Sequence, residues 1–314
     1  MKIGIDMMGG DFAPAEAVKG IQQFLETASS NTELVLIGDE ARIRPLLDGA
    51  LKDSTRLSIV HAPETIDMHE HPTKALKNKP NSSINLGFRL LAQENIQAFI
   101  SAGNTGAMMV GALYSIKTIE GIQRPTISTT VPRQNGTTGI LLDVGINSDC
   151  KPENLLQFAI LGSLYAKNIL HISNPRVALL NIGEEEGKGN LLVQAAYPIL
   201  RDSPKINFIG NIEGRDIFGE KADVIVCEGF TGNVVLKLAE SFYDIAVTRN
   251  IQDDFLLKNF NFESYGGTPV LGIAEPVIIG HGISKAPAFK NMISLAELML
   301  ESRLLDKIKE NFNS

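Results

Sequence analysis

The chain lacks the residue patterns that mark several common classes of enzyme. Its 314 residues include only two cysteines, Cys150 and Cys227, whose spacing fits neither a metal site nor a redox pair. Among five histidines only His69 and His71 lie close together, and neither has a metal-ligand partner at helical spacing. The sequence therefore predicts no metal, no cofactor, and two reduced thiols in a cytosolic protein.

Sequence fingerprints of nucleotide binding and serine hydrolysis are also missing. G-x-G-x-x-G does not follow the first predicted strand, and neither G-x-x-x-x-G-K-[ST] nor G-x-S-x-G occurs. The net charge of -7 and the absence of basic blocks argue against nucleic acid as a partner. Because neither cysteine resembles a nucleophile, we expect a bound anion rather than a side chain to supply the attacking atom in any enzymatic reaction.

Short apolar runs alternate with amphipathic helical patterns along most of the chain. Runs such as 178–180 and 224–226 are apolar on both faces, as strands are in a parallel sheet covered by helices. This alternation predicts a doubly wound α/β fold with ligands at the carboxyl ends of the strands. The predicted strands span 2–5, 33–37, 56–60, 97–101, 137–142, 176–181, 205–210, 222–226 and 276–280. The predicted helices span 14–29, 40–51, 82–94, 105–120, 152–170, 188–201, 230–250 and 285–312.

The sequence predicts a simple domain organisation. Because there is no internal repeat and no long linker, we expect one α/β domain over 1–314, with two lobes around a cleft as the alternative. The polar segment 62–81 is expected to be an irregular excursion near the sheet edge. The uncharged segment 95–116 has the length of a membrane span, but its central glycines favour a strand, a turn and a helix. A strand that begins at Lys2 argues against a signal peptide.

The stretch from Ser101 to Gly106 carries the clearest functional signal. It joins an apolar strand-like run to an apolar helix-like run, and its two glycines, Gly103 and Gly106, allow a ligand to approach the backbone closely. Asn104 and Thr105 add side-chain donors, and the amides of the following helix add the positive end of its dipole. This pattern predicts a cradle for a small anion such as phosphate. A plain strand-to-helix turn with an Asn or Thr cap is the alternative interpretation.

Polar residues and glycines also follow the other predicted strands. If these strands form a parallel sheet, their ends meet at one edge and line a polar cleft. Gly232 and Asn233 open another apolar helix and are candidates for a second anion position, and Lys79 is a candidate cation for the cleft. An ordinary loop is the alternative at each position. The site candidates after these strands are Asp6, Gly9, Gly10, Asp143, Lys188, Arg215, Thr231, Gly232, Asn233 and His281.

Several sequence blocks spread along the chain belong together. They include Ile5–Asp11, Ser101–Ala107, Leu141–Gly145, Leu180–Glu185, Asn211–Ile217, Gly229–Lys237, Tyr265–Gly267 and His281–Gly282. Collectively these blocks resemble a known family, the fatty acyl-acyl carrier protein:phosphate acyltransferases of bacterial phospholipid synthesis (PlsX family), and they follow the family order from residue 5 to residue 291. The resemblance implies a three-layer, Rossmann-like α/β sandwich with a mostly parallel sheet, akin to phosphate acetyltransferases and isopropylmalate-type dehydrogenases.

The resemblance also implies a reaction and its partners. A long acyl chain would move from the thioester of acyl carrier protein to inorganic phosphate, giving acyl phosphate and free carrier protein. The acyl phosphate would then feed a membrane glycerol-3-phosphate acyltransferase in phospholipid synthesis. The family likeness further implies a cytoplasmic homodimer, with weak peripheral contact at the inner membrane face as an additional expectation.

This reaction assigns tasks to the candidate residues. The protein must position phosphate, screen its charge and stabilise the oxyanion that forms at the thioester carbonyl. Candidates for neutralising phosphate are Arg133, Lys188, Arg215 and Lys237, and candidates for contacting the carbonyl oxygen are His281 and Asn233. We predict catalytic roles for Asn104, Lys188, Arg215, Asn233 and His281. We predict phosphate or substrate contacts for Asp6, Gly9, Gly10, Ser101, Gly103, Thr105, Gly106, Asp143, Thr231, Gly232 and Lys237.

One segment departs from the family pattern. Only 27 residues separate Lys237 from Tyr265, where the resemblance implies a longer helical insertion associated with the membrane surface. What remains has an apolar stripe and an apolar cluster, for which core or dimer packing is favoured over contact with membrane or an acyl chain. The stripe comprises Val235, Leu238, Phe242, Ile245 and Ala246, and the cluster comprises Phe255, Leu256, Leu257, Phe260 and Phe262.

Three other functions stay open on sequence grounds. A short-chain phosphate acetyl- or butyryltransferase that uses coenzyme A would share the fold and the phosphate cradle. A scaffold without activity would need no such cradle, and a dehydrogenase would lack its dinucleotide fingerprint. An enzyme that uses acyl carrier protein needs a local cationic patch for this acidic partner. Candidate patches are Lys74 with Lys77 and Lys79, and Lys285 with Lys290.

Overall fold

The computed structural model describes residues 1–28, 31–52 and 54–313. The chain divides into two compact units. Unit 1 comprises Met1–Thr118 and Phe262–Leu305, and unit 2 comprises Ile119–Asn261 and Asp306–Ser314. Strands and helices are numbered in chain order across both units.

Unit 1 is built on a six-stranded sheet. Its strands are β1 (Lys2–Asp6), β2 (Glu33–Gly38), β3 (Leu57–His61), β4 (Ala98–Ser101), β10 (Thr268–Leu271) and β11 (Val277–Ile279). Their order is β3-β2-β1-β4-β11-β10, and all neighbours are parallel except β10 and β11. The carboxyl ends of β1, β4 and β11 therefore lie at the same edge of the sheet.

Several helices of unit 1 pack on this sheet, and others pack against a neighbouring helix. They are α1 (Ala15–Thr27), α2 (Glu40–Ile43), α3 (Gly49–Lys52), α4 (Pro72–Asn78), α5 (Ser83–Ala92), α6 (Thr105–Gly111) and α11 (Ala286–Glu301). Helix α1 buries Val18, Ile21 and Phe24 and packs against α11. A Cβ at Gly20 would lie 2.5 Å from the Cβ of Phe289, so the two helices approach each other closely at that glycine.

Unit 2 contains a second sheet of five strands. These are β5 (Thr126–Pro132), β6 (Thr138–Leu142), β7 (Arg176–Asn181), β8 (Asn207–Glu213) and β9 (Val224–Val226), in the order β5-β6-β9-β7-β8. Only β5 runs antiparallel to its neighbour. The helices are α7 (Pro152–Asn168), α8 (Leu191–Arg201), α9 (Gly229–Thr248), α10 (Asp254–Asn259) and α12 (Leu304–Asn313), which begins at the end of the unit 1 range.

The structure confirms the fold class and every predicted strand, but two strands were missed. Both missed strands, β5 and β10, are the antiparallel members of their sheets. Prolines lie in or beside them, at Pro125, Pro132 and Pro269, and such residues lower the strand signal in the sequence. Each missed strand pairs with a strand that was predicted, β5 with β6 and β10 with β11.

The helix predictions are correct in place but wrong in detail. The region 40–51 is broken into α2, a short 3-10 turn at Arg44–Leu46 and α3, because Pro45 interrupts the helix. The region 285–312 is divided at Arg303, whose φ is +52°. The segment 62–81 contains the ordered helix α4, so the prediction of an irregular excursion was wrong there. Residue 29 of the predicted helix 14–29 lies outside the described residues.

The uncharged segment 95–116 forms β4, a turn and α6, as predicted, and α6 passes into a π-helical turn at Ala112–Ile116. Within the described part of the chain, every helix is too short or too polar to cross a bilayer.

Candidate functional site

Asp6 is the buried centre of the strand ends in unit 1. It is the last residue of β1 and is fully buried. Its Oδ2 accepts a hydrogen bond of 2.6 Å from the Ser101 hydroxyl, and its Oδ1 accepts one of 2.9 Å from the Met8 amide. Ser83 at the start of α5 also donates to it. Burial raises the pKa of the Asp6 carboxyl, while these hydrogen bonds favour the charged form. Asp6 thus ties β1, β4 and α5 together.

The glycines after β1 and β4 allow two turns to touch backbone to backbone. A Cβ at Gly9 would lie 2.5 Å from the amide nitrogen of Gly103, closer than real side chains come. Gly10 has a φ of +96°, and the neighbouring Asp11 amide donates to the carbonyl of Gly282 at 2.8 Å. Close packing of the turns after β1, β4 and β11 therefore accounts for these glycines.

Asn104 uses its side chain to join α6 to a distant loop. Its Oδ1 accepts from the Ala107 amide at 2.9 Å and caps α6. Its Nδ2 donates to the carbonyls of Asp67, Met68 and Glu70 at 3.0 to 3.2 Å. We call the segment from Thr65 to Glu70 the strap. Because both ends of the Asn104 amide are engaged, this geometry makes Asn104 a positioning residue for the strap and for α6.

The strap is also held by Lys79. The Lys79 ammonium donates to the Thr65 carbonyl at 2.7 Å and forms an ion pair with Glu70. The hydrogen bond from Lys79 lowers the pKa of the Glu70 carboxyl. Between the strap and the turn at Gly10 and Asp11 lies a cavity of about 530 Å³. Lys79 is therefore committed to the strap, which corrects its assignment as a cation for the phosphate cleft and as part of a cationic patch.

The first turn of α6 leaves backbone donors at the strand edge. Amides in the first turn of a helix have no acceptor within the helix, and the Asn104 side chain satisfies only that of Ala107. Thr105 is exposed and Gly106 is half-buried. A Cβ at Gly106 would lie 2.4 Å from Cγ of Pro72, so this glycine is needed for packing against α4.

His281 follows β11 at the same edge of unit 1. Its ring stacks on Phe262 with 5.1 Å between the centroids. Its Nδ1 accepts a hydrogen bond of 3.4 Å from the Ile283 amide.

In unit 2, Asp143 organises the turn after β6. Its carboxylate accepts from the amide of Asn147 at 2.7 Å and from the Asn147 side chain at 2.8 Å. Burial raises the pKa of the Asp143 carboxyl. Helix α9 packs directly on this turn, because a Cβ at Gly232 would lie 1.8 Å from the Asp143 carbonyl oxygen. The Asn233 side chain donates to the Val144 carbonyl at 3.3 Å.

The amino end of α9 already holds a carboxylate. Glu228 accepts from the amides of Phe230 at 2.7 Å and Thr231 at 3.1 Å, and it also accepts from the Thr231 hydroxyl. A second anion would be repelled by this charge. The Glu228 carboxylate therefore competes with any anion at the second position predicted for Gly232 and Asn233.

A cavity of about 860 Å³ opens at the carboxyl ends of β7, β8 and β9. We call it the unit 2 cavity. Three of the sequence blocks quoted above contribute to its lining, namely those that begin at Leu180, Asn211 and Gly229. Among the predicted site residues, Arg215 and Thr231 line it. The Arg215 guanidinium is 75% exposed and pairs with Glu213 at 2.6 Å.

Three other predicted cations are not among the residues that line the unit 2 cavity. Lys188 is exposed on the loop between β7 and α8, and Lys237 is exposed and pairs with Glu240 at 2.7 Å. Arg133 follows β5 and is buried against Asp223, which directly precedes β9, at 2.7 Å. Since β5 is antiparallel, Arg133 lies at the amino ends of the parallel strands. It cannot neutralise a phosphate at their carboxyl ends.

Neither cysteine is set up as a nucleophile. Burial raises the pKa of the Cys150 thiol to about 12 and raises that of Cys227 as well. Ser101, the one predicted site residue with a hydroxyl bonded to a carboxylate in unit 1, is fully buried. Within the described residues, His, Cys, Asp and Glu do not gather into groups of three or more that would hold a metal.

Sequence reasoning left out several residues that organise these sites. Four such residues were not predicted as site residues. Glu228 caps α9, Ser83 donates to Asp6, Asn147 donates to Asp143, and Asn181 lines the unit 2 cavity. Their position at helix starts could have indicated a capping or bonding role, because Glu228 directly precedes α9 at Gly229 and Ser83 begins α5.

Comparison with known proteins assigns the chain to a family. The model of the family described as "Fatty acid synthesis protein" matches residues 1–307. A phosphate acyltransferase from Dictyoglomus turgidum is 44% identical, with 100% of this chain and 98% of the relative covered. A phosphate acyltransferase from Aquifex aeolicus is 41% identical, with 100% and 97% covered.

Solved structures share the fold at low sequence identity. A phosphotransacetylase from Streptococcus pyogenes superposes with a TM-score of 0.65 at 19% identity, covering 98% of this chain and 94% of that one. A 4-hydroxythreonine-4-phosphate dehydrogenase from Klebsiella pneumoniae has a TM-score of 0.54 at 12% identity, with 94% and 96% covered. The family model and the phosphate acyltransferase relatives place the chain among the phosphate acyltransferases of fatty acid and phospholipid synthesis: it belongs to the PlsX family.

Proposed function

We propose that the protein transfers a long acyl group from the thioester of acyl carrier protein to inorganic phosphate and releases acyl phosphate and free carrier protein. The family supports phosphate as the acceptor. The observation that carries the proposal is that, among the described residues, neither the two thiols nor the Ser101 hydroxyl is set up as a nucleophile, since both cysteines have raised pKa values and Ser101 is buried. Phosphate is itself anionic and nucleophilic at neutral pH, so the protein has only to position it.

The proposed step forms one bond and breaks one. A phosphate oxygen attacks the thioester carbonyl carbon, and the carbonyl oxygen becomes an oxyanion. The oxyanion then collapses, the C–S bond breaks, and the sulfur leaves with its electron pair and takes up a proton to become the free thiol. The protein accelerates this step by holding phosphate close and by donating hydrogen bonds to the oxyanion.

In unit 1 we assign phosphate to the turn that begins α6. The first-turn amides at Thr105 and Gly106 and the exposed Thr105 hydroxyl are the donors. Asn104 positions this turn through its cap, and the buried Asp6, Ser101 and Gly9 hold the turn in place. His281, which follows β11 at the same edge, is the proposed contact to the carbonyl oxygen of the thioester.

In unit 2 the proposed substrate contacts are Arg215 and Thr231, because both line the unit 2 cavity. Lys188 and Lys237 are exposed, and we assign them an electrostatic role in attracting anionic substrate. For Asn233 and Gly232 the proposed role is to seat α9 on the Asp143 turn.

The proposed partners follow from surface charge and apolar exposure. Exposed Lys74 and Lys77 on α4, and Lys285 before α11, are the cations offered to acidic carrier protein. A homodimer is proposed through the exposed apolar face of α9 that is formed by Phe230, Val234, Leu238 and Ile245. The acyl phosphate product is proposed to pass to a membrane glycerol-3-phosphate acyltransferase. Weak contact with the membrane through the same apolar face is the competing use of that surface.

The function is tested by release of free thiol from palmitoyl-acyl carrier protein with and without phosphate, with hydroxylamine to trap acyl phosphate. We expect release that requires phosphate and trapped hydroxamate in equal amount. Release without phosphate, or release without hydroxamate, would contradict the proposal. Turnover with only acetyl- or butyryl-coenzyme A would instead favour the short-chain transferase, and a folded protein without turnover on any donor would favour the scaffold.

Phosphate binding at α6 is tested with Thr105→Val. Loss of a hydrogen bond to a charged group costs about 1.5–3 kcal/mol, so we expect the KM for phosphate to rise about tenfold or more while the KM for the acyl donor is unchanged. Thr73→Val, at an exposed position of α4, is the matched control. An unchanged KM for phosphate in Thr105→Val would place the anion elsewhere.

A further inference from the structure

The unit 2 cavity has apolar walls and one polar end. Six apolar side chains form the walls: Leu155, Leu180, Leu192, Val193, Ile217 and Val235. Leu155, Leu180 and Ile217 are buried beneath it, whereas Leu192, Val193 and Val235 are half-buried on α8 and α9. Ile182, also part of the lining, is 81% exposed.

The size of the cavity suits a ligand larger than phosphate. Its volume of about 860 Å³ lies in the range of about 300–1,000 Å³ that small-molecule sites occupy. Phosphate would leave nearly all of the apolar wall in contact with water. The buried Cys227 thiol, which lines the cavity, keeps its proton because its pKa is raised, and so adds apolar rather than charged surface.

The charges at the polar end exclude one class of apolar ligand. Glu213 and Glu228 are both in the lining, and Arg215 is already paired with Glu213. Two carboxylates against one guanidinium leave a net negative end, which repels the carboxylate of a free fatty acid. A neutral thioester or its amide-containing arm meets no such repulsion, and its amide N–H groups can donate to carboxylate oxygens.

We propose that the unit 2 cavity binds the hydrocarbon chain of the acyl thioester donor, with the neutral thioester end toward Glu213, Arg215 and Thr231. The inference rests on the proposed function for the identity of the donor. Val193 on α8 and Val235 on α9 then determine acyl-chain length, because they stand on two separate helices along the wall. Each methylene buried in the cavity adds roughly fourfold to the affinity.

Binding without turnover tests the cavity directly. The probe is S-hexadecyl pantetheine, a neutral thioether that cannot react, and S-butyl pantetheine is its short counterpart. Calorimetry should show the hexadecyl probe binding to the wild-type protein at least tenfold more tightly than the butyl probe. Val193→Trp and Val235→Trp, which fill the cavity from either helix, should each weaken the hexadecyl probe at least tenfold. Val247→Trp, an exposed position of α9 outside the cavity, should not.

Chain-length preference under turnover separates this inference from the proposed function. In the two filled variants we expect the ratio of kcat/KM for palmitoyl- over butyryl-carrier protein to fall at least tenfold, with thermal melts confirming the fold. If the wild-type enzyme is active but neither variant changes probe affinity or this ratio, the inference is overturned and the function stands. If no donor turns over yet the hexadecyl probe binds and is lost in both variants, the acyl-transfer function fails and the apolar site stands.

Discussion

At the scale of single residues, the hydrogen bonds of Asp6 explain why this carboxylate is tolerated in the core. Full burial disfavours its charged form, and the donors from Ser101, Ser83 and the Met8 amide offset much of that cost. The Ser101 hydroxyl in turn accepts from the Gly103 amide at 2.9 Å. One serine therefore links a buried carboxyl group to the turn that leads to the proposed phosphate site.

Ser101→Ala tests this link. Removing a partner from a buried charged group costs about 1–3 kcal/mol of unfolding free energy, so we expect a loss of that size at pH 7 in denaturant titrations. The mutation removes a bond to the charged form and so raises the pKa of Asp6 further. Since the raised pKa means that the folded state prefers protonated Asp6, the loss should shrink as the pH falls below that pKa.

The matched control is Ser284→Ala in the same unit. Its hydroxyl is buried without a hydrogen-bond partner among the described residues, so its loss should change the unfolding free energy by less than about 0.5 kcal/mol. A loss in Ser101→Ala that is equal at pH 7 and at pH 4 would contradict the role assigned to Asp6.

At the scale of elements, the strap shows how a polar segment becomes ordered without a core of its own. The Asn104 amide donates to three carbonyls of the strap, and Lys79 bonds its two end residues, Thr65 and Glu70. The strap's own Ile66 is buried. The strap borders the turn at Gly10, so its order affects the cavity between them. Both ionic side chains of the Lys79–Glu70 pair are about 30% exposed, so their attraction is partly screened by solvent.

Lys79→Gln should loosen the strap without unfolding the protein. Because a partly exposed ion pair contributes only about 0.2–1 kcal/mol, we expect amide exchange in residues 65–70 to quicken by about two- to fivefold. Hydrogen exchange followed by mass spectrometry measures this change. Lys77→Gln, in the last turn of α4 just before Lys79, is the control, because Lys77 is exposed and does not hold the strap. Equal exchange in both variants would show that the hydrogen bonds of Asn104 alone order the strap.

At the scale of the whole molecule, net charge and exposed apolar surface govern association. The net charge of -7 would repel the proposed acidic carrier protein, so the proposed encounter would depend on local lysines and weaken with added salt. Four exposed apolar side chains of α9, those of Phe230, Val234, Leu238 and Ile245, lie on one side of that helix, and Phe230 is 67% and Leu238 59% exposed. Phe242, one turn after Leu238, is half-buried and packs with Phe218 and Phe260 in unit 2.

The proposed homodimer is tested by Leu238→Asp. A charge placed in an apolar interface is buried without a partner, so we expect the dissociation constant to rise at least a hundredfold in analytical ultracentrifugation. Val247→Asp lies outside the Phe230–Ile245 face of the same helix and should leave the sedimentation coefficient unchanged. A wild-type protein that sediments as a monomer would contradict the homodimer, and liposome flotation would then test membrane contact.

The sequence predicted the sites unevenly, and the apolar stripe shows why. Its members share helical spacing, yet Val235 lines a cavity, Phe242 is half-buried, Ala246 is buried, and Leu238 and Ile245 are exposed. The cluster divides in the same way, because Phe255 and Phe260 pack in unit 2 while Phe262 stacks on His281 in unit 1. Leu256 has a side chain outside the described part of the chain. Helical spacing predicts which side chains share one side of a helix. What that side packs against depends on residues from elsewhere in the chain.

The amino-acid sequence by itself determined the alternation of strands and helices, the family, and the edge at which polar residues gather. These properties are local or follow from chain order, because apolar runs, glycine turns and helix starts can be recognised within a few residues. Only the tertiary structure decided what each polar side chain does. Asn104 meets Glu70 across 34 residues and Arg133 meets Asp223 across 90, and such partners depend on how strands are ordered in a sheet. Burial and hydrogen bonding then select a structural role for some candidates and leave others open to substrate.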